Sequence, residues 1–258
     1  MSDTPNPTSA IFWFFIITSI YFTIKYNTGN NKNDKSKQNM YFGIYILLII
    51  IGEYFINLGL TRTMCGTNQW GTAIIVTIIP WVIIFGILKL MLTVFPGWLA
   101  PFSNTLGYGV ARLSGLNDLM NKLIKPKISD SATPATKEMQ EALAHIYADK
   151  SLLINEITID NFETFWDKMK GIFIANPGEL KNKLENMVRL KYIVSEFIWF
   201  MLTGILVTSV GYNYTVNIGC QQSVQEMQKR HDEYEKDIQK TEEEQINKKP
   251  KRVYSTYE

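Results

Sequence analysis

Residues 73–95 read AIIVTIIPWVIIFGILKLMLTVF, and this stretch decides the fold. It holds one ionisable side chain, Lys89, and one proline, Pro80. A helix crosses the hydrocarbon core of a bilayer, about 30 Å thick, with about 20 mainly apolar residues at about 1.5 Å each. The core helix of a soluble domain needs no apolar run of this length, so the stretch predicts a transmembrane helix. Three further runs carry the same signal: residues 9–26 (SAIFWFFIITSIYFTIKY), 41–60 (YFGIYILLIIIGEYFINLGL) and 192–210 (YIVSEFIWFMLTGILVTSV). Aromatic residues gather near several of their ends, where amphipathic rings suit the interface.

The expected fold class is therefore an all-α membrane protein with about four transmembrane helices. The chain has 258 residues, 46% of them hydrophobic and 13% aromatic, yet its mean hydropathy is only −0.04. That average mixes long apolar runs with charge-rich stretches, whereas a soluble domain spreads its apolar residues at helix or strand period. A net charge of +2 gives no argument for nucleic-acid binding. The first run has no preceding basic residue and no small-residue cleavage site after it, so it reads as a retained anchor rather than a signal peptide.

Four regions follow from this pattern: residues 1–95 with three spans, 96–191 as an interfacial segment and small helical domain, 192–210 as the fourth span, and 211–258 as a polar helical tail. Lysine and arginine concentrate on the cytoplasmic side of membrane proteins. The first loop is read as carrying Lys25, Lys32, Lys35 and Lys37, and Lys181, Lys183, Arg189 and Lys191 precede the fourth span. Both basic segments are expected in the cytoplasm, with the termini and residues 61–72 on the other side. Cys65 and Cys220, the only cysteines, then share the non-cytoplasmic side, where an oxidising compartment favours a disulfide between them.

Ionisable groups inside spans are costly and are candidates for function. Glu53, Lys89 and Glu196 occur within the runs, and Asn57 stands one turn beyond Glu53. Counting residues from the span ends puts Lys89 about 9 Å and Glu196 about 6 Å from the cytoplasmic face. They can pair, or Lys89 can snorkel to the interface. Glu53 lies in the other leaflet, where a hydrogen bond to Asn57 is the expected solution.

After the third span, Pro96, Trp98, Pro101 and Phe102 read as an interfacial anchor, with the chain turning along the bilayer surface. A helix is expected over residues 106–124, with Leu113, Leu116, Met120 and Leu123 on one stripe, and another around Met139, Leu143 and Ile146. A third is expected to start with Asp160 as cap and Glu163 completing a box, before Phe162, Phe165 and Trp166. The stripe Phe162, Phe165 and Trp166 reads as core, or else as a groove for docking a protein partner. Beyond the turn Asn176-Pro177-Gly178, a helix is expected to run unbroken through Leu180, Leu184 and Met187 into the fourth span. The tail after Cys220 is a strong helix former with alternating charges and few apolar residues.

No catalytic chemistry is legible. The two histidines, His145 and His231, fall on opposite sides of the expected membrane, the cysteines lack metal-ligand spacing, and no phosphate-binding loop or nucleophile motif occurs. The chain reads as non-enzymatic, without cofactor or metal. A small transporter or channel using Glu53, Asn57 and Lys89 is the alternative class.

Three stretches, Cys65-Gly66-Thr67, FPGWLAPFSNTLGYG at 95–109 and INEITIDNFETFW at 154–166, together resemble a membrane-protein family of large icosahedral double-stranded DNA viruses of the algal-virus, iridovirus and mimivirus kind. The likeness covers roughly residues 60–210. It implies a minor capsid component of the virion's internal membrane, carried by host endomembrane during assembly. The implied partners are the bilayer, capsid or other virion proteins and further copies of itself. It supplies no catalytic residue.

Overall fold

The computed structural model describes residues 7–28, 35–125, 144–217, 219–220 and 224–248. These residues are helical apart from short connections, and the protein is an all-α membrane protein with four helices long and apolar enough to cross a bilayer. The first span is Thr8–Thr28, the second Lys35–Cys65, the third Trp70–Val94, and the fourth lies within the single helix Glu179–Asn217.

The second helix runs five residues past the apolar stretch that announces it, through Thr61, Arg62 and Thr63. Polar side chains end contact with lipid, not the backbone hydrogen-bond ladder. The helix stops instead at Gly66, whose positive φ of 69° suits a residue without a Cβ, with its N–H donating to the Arg62 carbonyl. The third span is not uniform either. Pro80 cannot donate to the carbonyl of Val76 four residues back, and residues Pro80–Phe85 form a π-helix.

Between spans, lipid and protein interior are equally apolar, so close packing holds the helices together. Two glycines make this possible. A Cβ on Gly52 would collide with the Trp13 indole, and one on Gly204 would collide with the Phe14 ring. Phe14 in turn lies 5.5 Å from Trp81, centroid to centroid. The other intramembrane glycines of the second and third spans, Gly43, Gly59 and Gly86, face open space.

The segment after the third span, expected as an interfacial anchor, packs against the Glu179–Asn217 helix. Prolines start two tight turns, Pro96–Leu99 and Ala100–Phe102, and the chain then climbs beside the Glu179–Asn217 helix. Trp98 and Phe102 pack on that helix, 5.9 and 6.1 Å from the Trp199 ring, and Leu99 is buried. The expected helix over 106–124 is broken: Tyr108–Leu113 and Leu116–Leu123 are separated at Gly115, with φ 99°. The break leaves Leu113 exposed at 91% while Leu116, Met120 and Leu123 are buried.

The soluble bundle closes around that second helix. Leu116, Leu119, Met120, Leu123, Ile154, Ile157, Phe162, Trp166, Phe173, Leu184 and Val188 form one buried cluster. The Ile124 and Phe173 backbones add a single antiparallel bridge, flanked by Lys125 N–H to the Ile172 carbonyl and Ile174 N–H to the Leu123 carbonyl. The helix Phe162–Met169 has Asn161 at its N-cap, so the expected Asp160 cap is not made. Asn161 instead accepts from the Thr158 N–H and donates to the Glu156 carbonyl. The expected helix around Met139 and Leu143 lies largely outside the described residues.

Helix Glu179–Asn217 continues seven residues beyond the expected end of the fourth span. A second unit, residues 218–258, contains the helix Val224–Lys248, whose described side chains are exposed. Neither cysteine is free: Cys65 and Cys220 are disulfide-bonded.

Candidate functional site: an ion cluster among the spans

Three of the four spans contribute a charged group to one place. Glu196 is 2% exposed. Its Oε1 accepts from Lys89 Nζ at 3.3 Å, and its Oε2 accepts from Lys25 Nζ. The pairing of Lys89 with Glu196, one of two outcomes the sequence left open, is therefore the one formed. Lys25 was read as loop charge. It is in the last turn of the first span, level with Glu196, and the same count from the span end that located Lys89 would have found it.

Aromatic rings surround the ammonium groups. Lys89 Nζ lies 5.0 Å from the Phe200 centroid and 5.7 Å from that of Phe42, and Lys25 Nζ lies 5.6 Å from that of Phe22. Ring faces attract cations, more so where water is scarce. Phe200 is also edge-on to Phe22 and Phe85, so the same side chain packs three helices and faces one charge.

Just above the cluster, Arg189 donates to the main-chain carbonyls of Lys25 and Tyr26, at 3.2 and 2.5 Å. These carbonyls end the first span, and a cation there satisfies groups the helix leaves unpaired. Lys191, one of the basic residues expected on the cytoplasmic side, is 3% exposed. Its Nζ donates to the Ile154 carbonyl at 2.6 Å and to Asn104 Oδ1 at 3.4 Å. The geometry makes this region a junction: charges tie the first, third and fourth spans together, and the next turns tie the fourth to the soluble bundle.

The other expected site residues fall elsewhere. Asn57 Nδ2 donates to Thr77 Oγ1 of the third span at 2.8 Å, so it does not serve Glu53. Glu53 is 2% exposed, with Oε1 buried and unpartnered. Across-helix pairing wins because Thr77 lies on the facing helix, where Asn57 can satisfy a second buried polar group as well as itself. Phe162 and Trp166 are 2% and 5% exposed and offer no surface to a partner, while Phe165 is half-buried. They were read as core or as a groove, and they are core: Trp166 stacks on Phe173 at 4.6 Å. Lys181 covers Phe162 and Trp166, 5.9 and 5.4 Å from their centroids, and bridges to Glu163 at 2.7 Å. No protein-family model, curated protein or solved structure matches the chain.

Proposed function

We propose that this chain is a structural membrane protein without catalytic activity, which anchors the internal membrane of a large double-stranded DNA virus particle to its capsid shell. The carrying observation is the single helix Glu179–Asn217. Its first part is packed into the soluble bundle through Leu184 and Val188, and its second part crosses the membrane. Load on the bundle passes to the bilayer through a continuous hydrogen-bonded rod, which suits a tether. The resemblance of residues 65–67, 95–109 and 154–166 to membrane proteins of such viruses supports the viral setting.

Docking falls to exposed side chains, since the aromatic stripe is inside. Leu113, Leu152 and Ile159 are 91%, 49% and 41% exposed on the bundle. A transporter reading is disfavoured because Lys89 and Asn57 are engaged with Glu196 and Thr77. Fractionation of purified particles tests the proposal. The protein should remain with the membrane when the shell is stripped and should cross-link to capsid protein before stripping. Its absence from particles, or ion flux through the purified protein in liposomes, would overturn the reading.

A further inference from the structure

The second span carries a carboxyl group that the ion cluster does not use. Glu53 is 2% exposed, and its Oε1 has no hydrogen-bond partner. It stands seven residues before Leu60, the end of its apolar run, about 10 Å along the axis. That position is inside the stretch that crosses the hydrocarbon.

The helices packed against the second span are the first, third and fourth. Residues 7–24 of the first span, 66–88 leading into and through the third, and 197–217 of the fourth contain no Asp, Glu, Lys, Arg or His. Their titratable side chains are Tyr21, Tyr212 and Tyr214, joined by Tyr45 and Tyr54 on the second span itself. Tyr45 is already hydrogen-bonded to Thr18, at 3.1 Å. Lys25 and Lys89 are held by Glu196. Arg62, on the same helix, is exposed and nine residues away, about 13 Å along the axis. Among the described residues, no cation is thus placed to neutralise a carboxylate at this position.

The nearby polar side chains do not substitute for one. Asn57 donates to Thr77, and it makes no hydrogen bond to Glu53 Oε1. The indole N–H of Trp13, against Gly52, is itself unpartnered, as is Thr208 Oγ1 on the fourth span. An ionised, unpaired carboxylate in such surroundings costs several kcal/mol. Binding a proton removes the charge and turns the group into a hydroxyl donor with one carbonyl acceptor.

We propose that Glu53 is an intramembrane proton-binding site, holding a dissociable proton at neutral pH between the packed second and third spans. The proton is the ligand, and the neutral acid is the form in which the bundle packs. Withdrawing the proton at alkaline pH places a bare charge among the spans and loosens them. The site is separate from the tethering role, and neither depends on the other.

Infrared spectroscopy of the full-length protein in sodium- and potassium-free liposomes tests this. At neutral pH the wild type should show the carbonyl stretch of a protonated carboxylic acid, shifted in deuterium oxide. The band should be absent from Glu53→Gln and retained in Glu196→Gln. Thermal stability gives a second reading. Glu53→Gln, a neutral isostere, should match the wild type at neutral pH and lose less of its melting temperature than the wild type as pH rises. A wild-type spectrum with carboxylate bands alone would overturn the proposal. So would a protonated band that disappears on adding sodium or potassium, which would assign the site to a metal cation instead.

Discussion

The α-carbon of Gly107 lies so close to the main-chain carbonyl of Lys191 that no side-chain atom fits between them. The π-helical turn Ser103–Gly107 is pressed there onto the helix Glu179–Asn217, where the membrane part meets the soluble part. The obstructing atom is backbone, which cannot rotate aside. Gly107→Ala should destabilise the bundle by about 1–3 kcal/mol, the usual cost of overpacking. Gly109→Ala, whose Cβ meets open space, should be neutral. Limited proteolysis of the two variants in detergent checks this, and equal resistance would show that the contact carries no strain.

The ion cluster is asymmetric, and its variants should be too. Glu196 is 3% exposed at its side chain, whereas Lys25 and Lys89 are 23% and 31% exposed. Lysine stems can carry a freed charge to the headgroups, but the carboxylate has no such route. Replacing both lysines by methionine should cost about 3–5 kcal/mol, the penalty of an uncompensated buried charge. Glu196→Gln should cost clearly less. Thermal melts followed by size exclusion distinguish the two, and an equal loss would mean the lysines are as trapped as the glutamate.

Trp166→Ala removes the ring that stacks between Phe162 and Phe173. The expected loss is about 3–5 kcal/mol for a buried aromatic, confined to the soluble bundle. Insertion into membranes should be unchanged, because no span is touched. Under the proposed tethering role, the variant should reach membranes and fail to join virus particles. Normal assembly would show that the bundle is not the part that docks.

The basic residues beside the first and fourth spans predict that a tag between residues 27 and 39 is accessible only from the cytoplasm and a C-terminal tag only from the lumen. Arg189 bonded to the end of the first span is consistent with both basic segments sharing one side. Protease protection on microsomes checks the assignment, and both tags on one side would exclude a four-span path. Peptide mapping without reductant should recover Cys65 linked to Cys220 on the lumenal side, with the two peptides separating on reduction.

Hydropathy made the spans legible because lipid imposes a length on apolar sequence. It could not mark helix ends, since Thr61–Thr63 and residues 211–217 leave the hydrocarbon without leaving the helix. Depth counting puts Lys89 and Glu196 in one leaflet but leaves pairing and snorkelling open, and it passes over Lys25, which the sequence reading counts with the loop. The Glu53–Asn57 expectation failed for a different reason. Spacing along one helix cannot reveal that Thr77 waits on another. The exposure of Leu113 was likewise invisible, because it depends on a backbone reversal at Gly115 that periodicity alone does not register.

Helix Glu179–Asn217, 39 residues long, is about 58 Å from end to end. A spanning helix tilts when the bilayer around it is thinner than its apolar stretch. With no hinge between the two parts, any such tilt becomes a sideways swing of the bundle, amplified like the free end of a lever. A rotation of ten degrees about the membrane midplane would move the bundle end by roughly 5–10 Å on this geometry. The sideways position of the soluble part would then vary with the thickness of the lipid around the fourth span.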